Sequence, residues 1–132
     1  MKDSIIINLT PHNVALFDKG DCEEIRKGNY VTLTPKEGVT PWAVFPASGT
    51  VARATEKRDV VHLISIKGKE FEIARKCYSK PEGLPEPKAG TFYLVSALTA
   101  QAASERADLL IVEGACRDAE GKICGCTAFA VI

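Results

Sequence analysis

Apolar residues along this chain fall into short runs separated by turn residues, a spacing that predicts strands rather than long helices. Ile5 to Leu9 and Val14 to Phe17 flank Thr10-Pro11-His12-Asn13, whose proline presets a turn, so the pair predicts a first hairpin. Residues 18 to 29 are polar and contain Gly20 and Gly28, while Tyr30 to Thr34 predicts a strand that stops at Pro35. Lys36 to Pro41 reads as a loop, Trp42 to Phe45 as a short buried strand, and Val51 to Thr55 as a return to extended chain.

The clearest period of two lies at Val60 to Ile66 and Glu70 to Arg75, joined by Lys67-Gly68-Lys69. This is the pattern of a hairpin with one wet face. Pro81, Pro85 and Pro87, with Gly83 and Gly90, make residues 79 to 90 a connection that no central strand can contain. Thr91 to Val95 predicts a buried strand. The alanine-rich stretch from Ser96 to Arg106 follows, with a serine where an N-cap belongs, and predicts the single helix, around residues 96–105. Leu109 to Val112 predicts a strand, and Ala115 to Arg117 pairs with Lys122 to Ile132 through Asp118-Ala119-Glu120-Gly121. The expected fold is therefore α+β, mostly antiparallel hairpins in a small sheet or open barrel with one short helix, as a single domain over residues 1–132.

Composition narrows the functional classes. A length of 132 residues with 45% apolar and 26% charged side chains is enough for one hydrophobic core and unlike a disordered or fibrous chain. No apolar run approaches the roughly 20 residues of a membrane span, and nothing near Met1 has the pattern of a secretory signal, so a cytoplasmic, membrane-free protein is expected. Cys22, Cys77, Cys116, Cys124 and Cys126 are an odd number at irregular spacing and read as reduced thiols. Seventeen basic residues balance seventeen acidic ones, which removes the global field that nucleic-acid binding draws on. The charge is uneven: residues 56 to 80 hold seven Lys or Arg against four acids, and residues 81 to 132 hold seven acids against four bases. An ordinary solvated hairpin explains the basic segment better than a binding face.

Candidate chemistry is sparse. The phosphate-binding, dinucleotide, nucleophile-elbow and zinc-protease motifs are missing from the sequence. Cys116, Cys124 and Cys126 with His12 have the donor types of a tetrahedral zinc site, but their spacing is no known zinc knuckle and buried free thiols are the plainer reading, so no metal or cofactor is expected. His12 beside Cys126 or Ser48 would have the residue types of a base and nucleophile; a histidine in a turn more often serves the backbone.

The arginines carry more weight. Arg53, Arg106 and Arg117 each lie in or next to a short apolar segment, a costly location unless the guanidinium meets a carboxylate or an anionic ligand such as phosphate. Asp108 and Asp118 are the internal partners on offer. If the anion is instead a ligand, the helix start at Ser96 would add amide donors, Tyr78 or Tyr93 a stacking surface, and Asn8 or Asp108 a ribose contact.

Several linked segments, in order, resemble a family of small uncharacterised proteins of phages and prophages. They are Ile7-Asn8-Leu9-Thr10-Pro11-His12-Asn13-Val14, Phe45-Pro46-Ala47-Ser48-Gly49-Thr50-Val51-Ala52-Arg53, Gly83-Leu84-Pro85-Glu86-Pro87, Gly90 to Ser96, Arg106 to Leu110, and Arg117 to Cys126. Residues 18 to 42 look like an insertion relative to the more compact members. The resemblance implies a phage setting, where some small proteins counter bacterial defence as sponges: compact oligomers that capture a nucleotide signal, such as an ADP-ribose derivative made by TIR enzymes, without cleaving it. It also makes Asn8, His12, Ser48, Arg53, Tyr93, Ser96, Arg106, Asp108 and Arg117 the expected ligand-binding set. The leading expectation is thus a non-catalytic, anti-defence binding protein. It would hold an ADP-ribose-like or cyclic nucleotide, as a homo-oligomer in the cytoplasm of an infected bacterium. A phage structural or protein-interaction module and a small nucleotide-processing enzyme are the alternatives.

Overall fold

The computed structural model describes residues 3–132. It contains ten strands and one helix: β1 Ile5–Asn8, β2 Val14–Leu16, β3 Cys22–Lys27, β4 Tyr30–Pro35, β5 Ala43–Phe45, β6 Glu56–Ile66, β7 Lys69–Tyr78, β8 Thr91–Leu94, α1 Ala97–Ala102, β9 Leu109–Arg117 and β10 Ile123–Ala130. Eight strands form one sheet in the order β1-β8-β9-β10-β2-β5, with the β3–β4 hairpin attached to β9 through β4. The sheet is mostly β with a single short helix, as the α+β reading expects, and it curves until it nearly closes as a barrel.

The closure has an identifiable pin. An isolated parallel bridge joins Asn8, at the end of edge strand β1, to Ala47, just past edge strand β5. Asn8 is almost fully buried, and every polar atom of its side chain is engaged. Its Nδ2 donates to the carbonyls of His12 (2.7 Å) and Phe45 (2.9 Å), and its Oδ1 accepts from the amide of Thr10 (2.9 Å) and from Thr10 Oγ1 (2.6 Å). An amide side chain suits this task because it offers two donors and two lone pairs in one plane. The sequence offers Asn8 or Asp108 as a ribose contact; in the fold the hydrogen-bonding capacity of Asn8 goes to Thr10 and His12 in the turn and to Phe45 of β5.

The first expected hairpin does not form. β1 instead pairs in parallel with β8, Ile5 opposite Thr91 through Asn8 opposite Leu94, and β2 pairs antiparallel with β5 and parallel with β10. Asn8 holds the Thr10–His12 turn tight but redirects the chain across the barrel, so the two arms go to different neighbours. β10 can approach β2 this closely only because residue 125 is glycine: a Cβ there would sit 2.6 Å from the Ala15 carbonyl oxygen and 2.7 Å from the Phe17 ring. The expectation for 18 to 29 also changes, since it contains a three-residue 3₁₀ turn, Lys19–Asp21, and all of β3.

The core lies between the β1-β8-β9 part of the sheet and α1. Leu9, Ala52, Tyr93, Val95, Ala100, Ala103 and Leu109 form its buried cluster, with Ile7, Leu84 and Ile111 packed against it. α1 spans six residues, shorter than the alanine-rich stretch suggested, because Ala103 leaves helical geometry at φ −128°, ψ 46°.

β6 and β7 stand apart as a separate two-stranded sheet. Their turn has positive φ at both Lys67 (51°) and Gly68 (82°), the geometry of a tight type I′ turn. Nearly every residue of the hairpin is exposed, so it forms an arm outside the barrel rather than a wall of it.

Candidate functional site

Two adjoining clefts open beside the barrel-closing turn, and they share Thr10 and Ser96. The first, about 490 Å³, has walls of Val14, Leu94, Ile111, Val112 and Ile123, with His12, Asn13 and Ser96 supplying polar groups. The second, about 510 Å³, is lined by Leu9, Pro11, Val51, Arg53, Leu98 and Thr99 among others.

A short relay of hydrogen bonds fixes the junction. Ser96 caps α1, its Oγ accepting from the Thr99 amide (3.2 Å) and donating to Thr99 Oγ1 (3.0 Å). Thr99, 1% exposed, passes its own hydroxyl proton toward the Ala52 carbonyl (3.2 Å), and the Ala52 amide donates to the Leu9 carbonyl (3.0 Å). Chain 51–53 is thereby clamped between the β1 end and the helix. Arg53 N and O pair with Glu82 O and N (3.0 and 2.8 Å), which sets its backbone at the rim of the second cleft. Gly83 secures the same junction from outside: it has φ +84°, and a Cβ there would lie 2.8 Å from the Val51 carbonyl oxygen.

Arg53 is exposed and, among the described residues, makes no carboxylate contact within 4 Å. The other two arginines have partners. Arg106 holds Asp108 through two 2.8 Å hydrogen bonds, Nε to Oδ1 and Nη2 to Oδ2, with only about a sixth of each side chain exposed. The hydrogen bond to Asp108 raises the Arg106 pKa, and the reciprocal bond lowers that of Asp108 against the opposing effect of burial. Arg106 also sits over the Tyr93 ring at 5.9 Å, and the buried Tyr93 donates its hydroxyl to the Glu86 carbonyl (3.3 Å). Arg117 donates to the Gly121 carbonyl (2.8 Å) inside the β9–β10 turn, where Asp118 accepts from the amides of Glu120 and Lys122.

The three guanidinium groups therefore do not converge. Arg106, Asp108 and Tyr93 form one internal cluster around the β8–β9 junction, and Arg117 belongs to a turn. Ser48 is exposed and closes a local turn with Thr50, its Oγ accepting from the Thr50 amide and donating to the Thr50 carbonyl. Tyr78 lies on the arm opposite Glu56. Of the expected binding set, Arg53, Ser96 and His12 line the paired clefts. The helix start adds little there, because a six-residue helix has a small dipole and the Thr99 amide is already taken by Ser96.

Residues that the sequence reading passed over complete the site. Thr10 stands between the clefts, Asn13 Oδ1 accepts from the Ala47 amide (3.0 Å), and Thr99 carries the relay. The signal for Thr99 was present in Ser96-Ala97-Leu98-Thr99, a serine cap with a hydroxyl three residues later. Strand-borne walls such as Ile111 and Ile123 had no signal, since their role depends on which strands become neighbours.

The thiols form a second grouping. Cys116 and Cys126 are buried, and Cys22 Sγ lies 3.9 Å from Cys116 Sγ. Burial, then the neighbouring Cys22 thiol, pushes the Cys116 pKa up to about 12. Burial likewise raises Cys124 and Cys126. Among the described residues no group of three or more His, Cys, Asp or Glu side chains has the arrangement of a metal site. Among the described residues no helix is long and apolar enough to cross a membrane. No family model, curated protein or solved structure matches the chain.

Proposed function

We propose that this protein is a capture protein: it sequesters a nucleotide-derived signal of the ADP-ribose or cyclic-nucleotide type, without turnover, in the cleft pair that Thr10 and Ser96 divide. The observation that carries the reading is Arg53, which has no carboxylate partner among the described residues and lines a cleft that shares Thr10 and Ser96 with an apolar one. A phosphate needs the first and a flat base the second. The Thr10 and Ser96 hydroxyls donate inward, to Asn8 Oδ1 and Thr99 Oγ1, so what they offer the hydroxyls of a ribose is acceptor lone pairs. The resemblance to small phage proteins supplies the setting, an anti-defence role in an infected bacterial cytoplasm.

A capture protein must hold its ligand at about nanomolar Kd, roughly 12 kcal/mol, and two open clefts on one small chain supply this better when a second copy covers them. The arm supports an oligomer. Opposed residues of a strand pair share a face, so Ile64 with Phe71, Ile66 with Lys69, and His62 with Ile73 lie together. Phe71 is 44% and Ile66 50% exposed. A two-stranded hairpin is marginal alone, and one with such a face is stabilised by a partner surface. The same arm favours the second reading, a protein-interaction module, if the surface it covers belongs to another polypeptide.

The test is calorimetric titration with ADP-ribose, a cyclic ADP-ribose isomer and cyclic dinucleotides, using wild type and Arg53→Ala. Saturable binding of one class, recovery of intact ligand after denaturing the complex, and at least a tenfold loss in Arg53→Ala are expected. Absence of heat across the panel would remove the capture reading, and release of a cleaved product would replace it with the enzyme.

A further inference from the structure

We propose that Cys22 and Cys116 are a modification site, a thiol pair that oxidised glutathione or a similar disulfide converts to an internal disulfide. The proposal is independent of the nucleotide reading. Its basis is the 3.9 Å separation of the two sulfurs, which are 94 residues apart in sequence. Cys22 opens β3 directly after the Lys19–Asp21 turn, and Cys116 stands near the end of β9. The segment containing Cys22, residues 18 to 35, has no other explained role, and its folding as a hairpin is what brings this sulfur to β9.

The two thiols differ in access. Cys22 is partly exposed, and besides Cys116 its Sγ makes a long contact, 3.7 Å, to the Asp18 carbonyl. Cys116 is fully buried, with its Sγ 3.8 Å from the Gly114 carbonyl. Cys22 is therefore the sulfur an oxidant reaches first. As the thiolate it attacks one sulfur of glutathione disulfide; that S–S bond breaks, and one glutathione leaves and takes up a proton. Cys116 then loses its proton to solvent and attacks the Cys22 sulfur, expelling the second glutathione. Two protein thiols are oxidised by two electrons, and one glutathione disulfide is reduced to two thiols. The unfavourable ionisation of Cys116 makes the second step the slow one.

Bond formation requires the sulfurs to close from 3.9 Å to about 2.05 Å. The hairpin permits this because β4 meets β9 at a single registered pair, Leu33 opposite Cys116, while Cys22 sits at the strand's loop end opposite Pro35. A disulfide here latches the hairpin to β9 beside Ala115, a wall residue of the first cleft.

The experiment treats the full chain, in a Cys77→Ser background that removes the exposed arm thiol, with oxidised glutathione. Intact mass should fall by two hydrogens, peptide mapping without reductant should recover a Cys22–Cys116 linked pair, and melting temperature should rise by about 10 °C, reversed by dithiothreitol. Cys22→Ser, at a partly exposed position that leaves the core intact, should lose both the mass change and the shift, and Cys116→Ala should retain glutathione on Cys22 as a stable adduct. A persistent glutathione adduct on Cys22 with Cys116 present, a linkage from Cys22 to Cys124, or no oxidation under conditions that fully oxidise a small dithiol would each overturn the proposal.

Discussion

The barrel and the β6–β7 arm are both built from strands yet solve the backbone problem in opposite ways. In the barrel the inner strands are shared between neighbours: β9 pairs with β8, β10 and β4, and the β1 and β5 ends of the sheet meet at Asn8 and Ala47. The arm satisfies only its own inner hydrogen bonds and leaves both edges and an apolar face in solvent. Closure lets polar side chains such as Asn8 and Thr99 be buried fully bonded, whereas the arm's ion pairs, Arg58 with Glu72 and Lys76 with Glu56, are half-exposed and contribute little. The barrel is self-sufficient. The arm is the part left uncovered.

This contrast is broken most severely at the pin. Asn8→Ala removes four hydrogen bonds and strands the Thr10 amide and the Phe45 carbonyl, while the His12 carbonyl keeps its bond from Thr10 Oγ1, so it should cost about 3 kcal/mol in chemical denaturation. Gly125→Ala follows at about 2 kcal/mol, because the new Cβ must push β2 and Phe17 away from β10. Phe71→Ser with Ile73→Ser on the arm should change unfolding by less than about 0.5 kcal/mol, and the proposed contact between copies through this face predicts that the same change lowers the sedimenting mass to that of a monomer.

The pH response reports on the buried Cys116 thiol. The folded-state pKa of Cys116 is raised above its unfolded value of 9.0 to about 12, so its contribution to stability is complete below pH 9 and is lost as pH rises toward 12. Wild type should therefore lose stability from pH 9 to 10.5 by up to about 1.4 kcal/mol per pH unit more steeply than Cys116→Ala, measured by urea midpoints. Asp108 works in the other direction: its lowered pKa gives stability that is present above the unfolded value of 3.8 and disappears as pH falls through the folded one, and Asp108→Asn should flatten that acid limb.

How much of this was legible in the sequence follows from which interactions are local. The Lys67-Gly68 turn, the Asp118–Gly121 turn, the Ser96 cap and the proline-rich 79–90 connection all announce themselves within a few residues, and all are present. Parallel pairing of β1 with β8 does not, because its partners are about ninety residues apart with no turn between them to signal the register. For the same reason Asn8 read as a ligand contact and not as a barrel closure. Alternation at residues 60–75 predicted the hairpin but implied a buried face, which the protomer alone does not provide. In the site, Arg106 and Asp108 are two residues apart and their pairing was foreseeable, whereas Arg53 depends on the clamp of chain 51–53 by Leu9 and Thr99.

Native mass spectrometry of the protein with and without Arg53→Ala, sprayed with ADP-ribose and cyclic-nucleotide probes at micromolar concentration, tests the capture account most directly. The account predicts an oligomer that retains an intact probe at a fixed stoichiometry in wild type and sheds it in the variant. A bare monomer, or a probe held equally by both proteins, would contradict it.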